Sequence, residues 1–163
     1  MTANPRSRTY TWHDPDAAAT AGRQLSGLEY LRALAEARLP PPPIAATLDM
    51  RLLEVEEGRV VFGAEPSELH YNPIGVVHAS LAMTLVDSAI GCAVHTLLPA
   101  GVGYTSLETK VDFVRPLTRE TGAVRCEGSV VHAGTRVATG EARILDASGK
   151  LYAHGTSTCL ILR

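Results

Sequence analysis

Cysteine is scarce and scattered in this chain. Its three cysteines, Cys92, Cys126 and Cys159, are odd in number, far apart and set among apolar neighbours, which excludes a disulfide framework and any Cys-x-x-Cys metal site. They read as small core residues of a protein kept in a reducing, cytoplasmic compartment. An excess of basic charge is also missing: fifteen Lys plus Arg stand against seventeen Asp plus Glu, for a formal net charge of −2. No global field therefore attracts nucleic acid or an anionic membrane. The amino-terminal run MTANPRSRTYTW lacks the apolar core of a secretory signal. The longest apolar stretch, from Val76 to Leu98, is interrupted by His78, Asp87 and His95 and has no aromatic or basic anchors at its ends, so it reads as a buried helix and not as a membrane span. Gly-x-Ser-x-Gly and His-Glu-x-x-His are absent and the six histidines are dispersed, which speaks against serine and zinc hydrolases.

What remains is 163 residues, 45% hydrophobic and 20% charged, a composition that fills one globular core and leaves no room for a separate cofactor domain. No cofactor or metal is expected. Residues 1–24 show no periodicity and read as a poorly ordered arm whose Tyr10 and Trp12 are free to dock on a neighbour; residues 25–163 read as a single domain. Ser26-Gly-Leu-Glu29 is a capping-box pattern, and Leu28, Leu31, Leu34 and Ala35 follow at helical spacing until Pro40 to Pro43 stop the run. Leu48, Met50 and Leu52 alternate with polar neighbours, and Val60 and Phe62 follow a Glu-Glu-Gly turn, which predicts a hairpin.

The long apolar helix, from about Val77 to Leu98, comes next and is closed by Pro99 and Gly101. Between Tyr104 and Val114 the apolar positions Leu107, Val111 and Phe113 keep a period of two. Strands near 122–132, 135–146 and 150–162 follow as a meander, with turns at Ala133-Gly134 and at residues 146–149. A helix that is apolar nearly all round cannot be covered by a flat sheet. The fold class is therefore α+β: a curved antiparallel sheet wrapped around one long central helix, with a short amphipathic helix before it.

Asp87 is the residue that carries most information, a carboxylate in mid-helix among Leu85, Val86, Ala89 and Ile90. Leaving it unpartnered in such surroundings is costly, and desolvation is expected to raise its pKa; the alternatives are a general base or nucleophile, or a structural carboxylate bonded to a neighbouring strand or facing a subunit interface. The segment His70-Tyr-Asn72-Pro-Ile-Gly75-Val-Val-His78-Ala79-Ser80 runs directly into the helix. The free N–H groups of a first helical turn are ready donors for an oxygen that gains negative charge. His78 reads first as a loop anchor that bonds backbone, with a catalytic acid as the alternative.

These residues resemble a known family. Asn72-x-x-Gly75-x-x-His78-Ala79-Ser80, with Asp87-Ser88-Ala89-x-Gly91 after it, resembles the signature of hotdog-fold acyl-CoA thioesterases of the phenylacetate-pathway, PaaI-like type. The likeness continues through Leu107-x-x-x-Val111-x-Phe113-x-Arg115-Pro116, Val131-His132-x-Gly134-x-Arg136, Gly149-Lys150 and Thr156-x-Thr158, over roughly residues 44 to 162. The resemblance implies hydrolysis of an acyl- or aryl-CoA thioester. Asp87 is then the catalytic carboxylate, Asn72 the residue that holds carbonyl or water, the Ala79 N–H the oxyanion donor, and Ser106 a water-orienting residue, with Thr105 as its substitute. Gly75 and His78 complete the implied catalytic set, and Ser80, Arg115, Gly134 and Arg136 the substrate and CoA contacts. Of the basic residues in the sheet half, Arg115 and Arg136 lie in the matched segments. The family commonly has His-Gly-Gly where this chain has His78-Ala79-Ser80; alanine keeps the N–H, but its methyl group and the Ser80 side chain take up space beside the acyl group.

Helix geometry adds a consequence independent of the family. Eight residues separate Ala79 from Asp87, about 12 Å at ~1.5 Å per residue, so the two cannot both touch one carbonyl carbon of a bound thioester. If both act on one substrate, the site is shared between protomers of a homodimer or homotetramer. The function class set against the enzyme is a non-catalytic acyl-CoA sensor on the same fold. An enoyl-CoA hydratase would need an Asp and His arrangement that the chain lacks, and no basic recognition helix couples it to DNA.

Overall fold

The Ser26 Oγ accepts the Glu29 N–H at 3.3 Å while the Glu29 carboxylate accepts the Ser26 N–H at 3.0 Å, so the expected capping box starts a helix, α2 (Gly27–Ala35), that buries Leu31 and Ala33. The computed structural model describes residues 4–163. Before α2 lies α1 (Pro15–Gly22), a correction to the expectation of an arm without order: Asp14 caps it by accepting the Asp16 N–H, and proline occupies its first turn. Further out, Arg8 donates to the carbonyls of Ala46 and Thr47 and Arg6 pairs with Glu68, so the arm lies on its own chain. Residues 1–3 of that arm are outside the described residues. A third short helix, α3 (Pro43–Leu48), begins within the proline run and takes in Leu48, which the alternation pattern had placed in a strand.

Six antiparallel strands follow: β1 (Met50–Glu56), β2 (Arg59–Ala64), β3 (Gly103–Phe113), β4 (Val124–Ala133), β5 (Val137–Asp146) and β6 (Leu151–Leu162). Their order in the sheet is β1-β2-β4-β5-β6-β3. The hairpin and the β4-β5-β6 meander match expectation; β3 does not continue into the meander but crosses to the far edge and pairs with β6.

The long helix α4 (Ala79–His95) lies between β2 and β3 in sequence and against the concave face of the sheet in space. Leu81, Leu85, Val86, Ile90 and Val94 are almost fully buried there, each such side chain contributing about 1.5–3 kcal/mol by leaving water. The helix approaches the sheet very closely at Gly128, where a Cβ would lie 2.5 Å from the Ala89 carbonyl carbon. At its C-terminal end the Thr96 hydroxyl donates to the Ala93 carbonyl and accepts the Gly58 N–H, which ties the β1-β2 turn to the helix. One stripe of α4 stays uncovered by its own chain: Ser80 and Met83 are exposed, and Thr84, Asp87 and Ser88 half-buried.

Candidate active site

Asp87 projects from the uncovered stripe towards β3. Its Oδ1 accepts two hydroxyl bonds, from Ser106 Oγ at 2.7 Å and from Thr109 Oγ1 at 2.9 Å. On a regular strand, positions i and i+3 face opposite ways. Here the β3–β6 register shifts between Ser106 and Glu108, and this bulge at Leu107 brings Ser106 and Thr109 onto one face. The same bulge corrects the expected period: Val111 packs on the core, but Leu107 is turned outward and 58% exposed. Thr109 is held in turn by Ser157, whose Oγ lies 3.1 Å away and donates to the Glu108 carbonyl. Asp87 is thus not a carboxylate stranded among apolar groups. Two hydroxyls solvate one oxygen, and its Oδ2 has no partner among the described residues.

The loop before α4 is built around Asn72. Its Oδ1 accepts the N–H groups of Ile74 (3.1 Å) and Val76 (3.3 Å), its own N–H donates to the Val76 carbonyl, and Gly75, at φ +83°, returns an N–H to the Asn72 carbonyl. Tyr71 and Val77 bridge antiparallel across the base of this turn. His78 is the helix cap: its Nδ1 accepts the Ser80 N–H at 3.0 Å and bonds the Ser80 hydroxyl at 2.9 Å. That geometry is the anchoring role read first for His78, and it folds the Ser80 side chain back onto the ring. With the Ser80 and Leu81 N–H groups both bonded to His78, the Ala79 N–H is a first-turn donor without a partner among the described residues.

The chain does not bring these two halves together. Asn72, His78, Ala79 and Arg115 line one cavity of about 270 Å³ beneath the start of α4. Asp87 lines another, of about 560 Å³, between α4 and the segment formed by α2, α3 and β1. Arg115 also donates to the Leu151 carbonyl. Gly134 sits with Leu97–Val102 at the opposite end of α4, and Arg136 follows it in the same β4-β5 turn. Thr109 and Ser157 were not singled out from the sequence; only the bulge reveals the first, and only the β3–β6 pairing the second.

The three cysteines are free thiols. Burial pushes the Cys92 thiol up to about 12 and raises that of Cys126 further, so neither supplies a thiolate near neutrality. Burial also holds the Tyr104 phenol well above its ordinary value and the His95 imidazole below its own. Among the described residues no helix is long and apolar enough to cross a membrane.

The sequence and the fold are similar to those of known proteins. The Thioesterase superfamily model matches residues 74–153. A Saccharolobus solfataricus protein that bears an esterase name is 31% identical over 116 residues, covering 71% of this chain and 81% of its own. Among solved structures, a point mutant of the phenylacetic acid degradation protein PaaI from Thermus thermophilus is 28% identical with a TM-score of 0.66, covering 73% of this chain and 98% of that one. A phenylacetic acid degradation-related protein from Ralstonia eutropha shares the fold, with a TM-score of 0.72 at 23% identity over 80% of this chain and 98% of its own.

Proposed function

The chain belongs to the thioesterase superfamily and has the hotdog fold of its PaaI-like members, and on that premise we propose that it hydrolyses acyl- or aryl-CoA thioesters in a site shared by two copies of the chain. The observation that carries the proposal is Asp87, fixed through Oδ1 by Ser106 and Thr109, with Oδ2 left for chemistry on a helix face that its own chain leaves uncovered. Ala79, which with Asn72 forms the other half, lies about two helix turns away, at about 12 Å along α4 by ~1.5 Å per residue. A second protomer, related by a twofold axis, supplies it. Strand β3, which carries Ser106 and Thr109, is an edge of the sheet, and its unpaired N–H and C=O groups offer a second copy a template for pairing.

In the proposed reaction a water held by Asp87 Oδ2 and the Asn72 amide attacks the thioester carbonyl carbon. Its proton passes to Asp87 as the C–O bond forms, and the carbonyl electrons move onto oxygen. The Ala79 N–H, at the positive end of the α4 dipole, receives that oxyanion. Collapse re-forms the carbonyl and breaks the C–S bond; the CoA thiolate leaves with the proton that Asp87 returns. Arg115, beside the Ala79 cavity, meets a CoA phosphate as a charge-assisted contact, and Arg136 serves as a second contact at the far end of the helix. Three free thiols, of which Cys126 and Cys159 are buried, suit a reducing, cytoplasmic setting.

The test is thiol release from a panel of aliphatic, hydroxybenzoyl and phenylacetyl CoA thioesters, with wild type and Asp87→Asn in parallel. Release that falls by orders of magnitude in the variant supports the assignment. Equal rates remove Asp87 from its role, and no release combined with a CoA-ester-dependent rise in melting temperature leaves a binding module instead.

A further inference from the structure

The cavity that opens on Asp87 is walled largely by residues before the segment that the family model matches. Leu34 of α2, Ile44 of α3 and Met50 of β1 line it, whereas the matched segment begins at residue 74. We propose that residues 27–50 roof the acyl pocket of this enzyme, that Tyr104 forms a side wall and that Tyr30 and His95 end it, so that it selects an uncharged acyl chain of about ten carbons. This rests on the thioesterase reading of Asp87.

Length comes from the helix. The lining follows α4 from Asp87 and Ser88 through Cys92 to His95, and eight residues at ~1.5 Å each make about 12 Å. An extended chain advances roughly 3.6 Å over three bonds, so about ten bonds span the distance from the carboxylate to the far wall. A volume of about 560 Å³ lies well within the ~300–1,000 Å³ of sites that enclose small organic ligands.

The far wall is fixed by packing. The His95 ring stands 5.8 Å from Tyr30 and 5.4 Å from Tyr104, tilted against both; Tyr104 flanks the pocket midway, resting on Gly91, where a Cβ would approach its ring to 2.7 Å. The roof is docked on the same end of α4: Gly27 donates to the Leu98 carbonyl at 3.0 Å, and a Cβ at Gly27 would fall 1.8 Å from the His95 oxygen, a contact that only glycine permits. Chemistry follows from the walls. Leu34, Ile44 and Phe62 are hydrocarbon, the Cys92 thiol is protonated, and the charged side chains other than Asp87 are the exposed Asp49 and Arg51. A carboxylate at the chain end would meet no counter-ion beside the Tyr30 and His95 wall, because burial holds the His95 imidazole below its ordinary value.

The experiment measures kcat/KM for butyryl, hexanoyl, decanoyl, hexadecanoyl and phenylacetyl CoA with wild type, Cys92→Leu and Cys92→Ser. Cys92 lies five residues beyond Asp87, about 7.5 Å along the helix, so the larger leucine blocks the pocket halfway while serine leaves it open. Wild type is expected to prefer decanoyl, and Cys92→Leu to lower the decanoyl-to-butyryl ratio about tenfold or more, with Cys92→Ser keeping the ratio. A wild type that prefers butyryl or phenylacetyl, or a ratio unchanged in Cys92→Leu, overturns the pocket assignment while leaving the hydrolase reading intact. If no thioester is hydrolysed, the hydrolase reading fails, and thermal shift decides the pocket separately. Stronger stabilisation by decanoyl-CoA than by butyryl-CoA, lost in Cys92→Leu, supports it; equal shifts overturn it.

Discussion

Replacing Thr109 by valine removes one hydroxyl from the candidate active site, and with it the bonds to Asp87 and Ser157. Valine has nearly the same shape and suits a strand, but it cannot donate to Asp87 Oδ1, which Thr109 Oγ1 reaches at 2.9 Å. Hydrogen bonds to charged groups contribute about 1.5–3 kcal/mol; because Asp87 is half-buried, the lower end, about 1.5 kcal/mol, applies. For a chain of this size each kcal/mol moves Tm by roughly 2–4 °C, so a fall of about 3–6 °C is expected. With Asp87→Asn the same hydroxyl meets a neutral acceptor, where a bond typically contributes about 1 kcal/mol, so a double-mutant cycle should show coupling of about 0.5 kcal/mol. Thr109 touches no reacting atom; it is a positioning residue. Its loss should lower kcat about tenfold and leave KM nearly unchanged, because Ser106 alone no longer fixes the carboxylate plane. Thermal melts and steady-state kinetics on the four proteins of the cycle decide the matter. An unchanged Tm and kcat in Thr109→Val, or an equal loss in the Asp87→Asn background, refutes the reasoning.

Three further outcomes follow from the geometry. Gly128→Ala forces a Cβ to within 2.6 Å of the Ala89 carbonyl oxygen, and overpacking of this kind costs about 1–3 kcal/mol; calorimetry should show a lower Tm, and an unchanged Tm contradicts the close approach of α4 to β4. Burial holds the His70 and His95 imidazoles below 6.5, so the unfolded chain binds more protons there. The stability their neutral forms permit is complete above about pH 6.5 and is lost as pH falls from 6.5 through the folded values. His95→Phe should therefore lose less Tm than wild type between pH 7.5 and 5.0, and an equal loss contradicts it. Ala79→Pro removes one N–H at the first helical position, where proline is well tolerated; His78 already has the extended backbone, φ −63° and ψ 141°, that a following proline requires. Turnover should fall at least a hundredfold with Tm within about 2 °C. Retained turnover removes the oxyanion role of Ala79.

How much of this was legible in the sequence depends on the range of the interactions. The α2 capping box and the long apolar helix are local signals; the first appears as expected, and the second is present but shorter than the expected 77–98, at Ala79–His95. The α1 helix was signalled by Asp14-Pro15, a cap followed by a helix-compatible proline, but a run without apolar periodicity obscured it. The position of β3 was not readable, because its pairing with β6 joins segments almost fifty residues apart, as in Lys110 opposite Thr156, and the tendency of successive strands to be neighbours pointed to β4. A bulge has no sequence mark of its own, so Thr109 was hidden behind the apparent alternation of Leu107, Val111 and Phe113. Asp87, Asn72 and Ala79 are candidates that residue type and spacing single out; the two hydroxyls bonded to a single Asp87 oxygen required the fold.

The shared site is the centre of the account, and subunit mixing tests it most directly. Asp87→Asn and Ala79→Pro proteins, each expected to lose nearly all turnover alone, are unfolded together, refolded and assayed, with heterodimers isolated by two affinity tags. A mixed dimer holds one site with both defects and one with neither, so random pairing should restore about a quarter of wild-type activity, and purified heterodimer about half. Confirmed heterodimers with no activity above either parent would contradict the pairing of Asp87 from one protomer with Ala79 from the other.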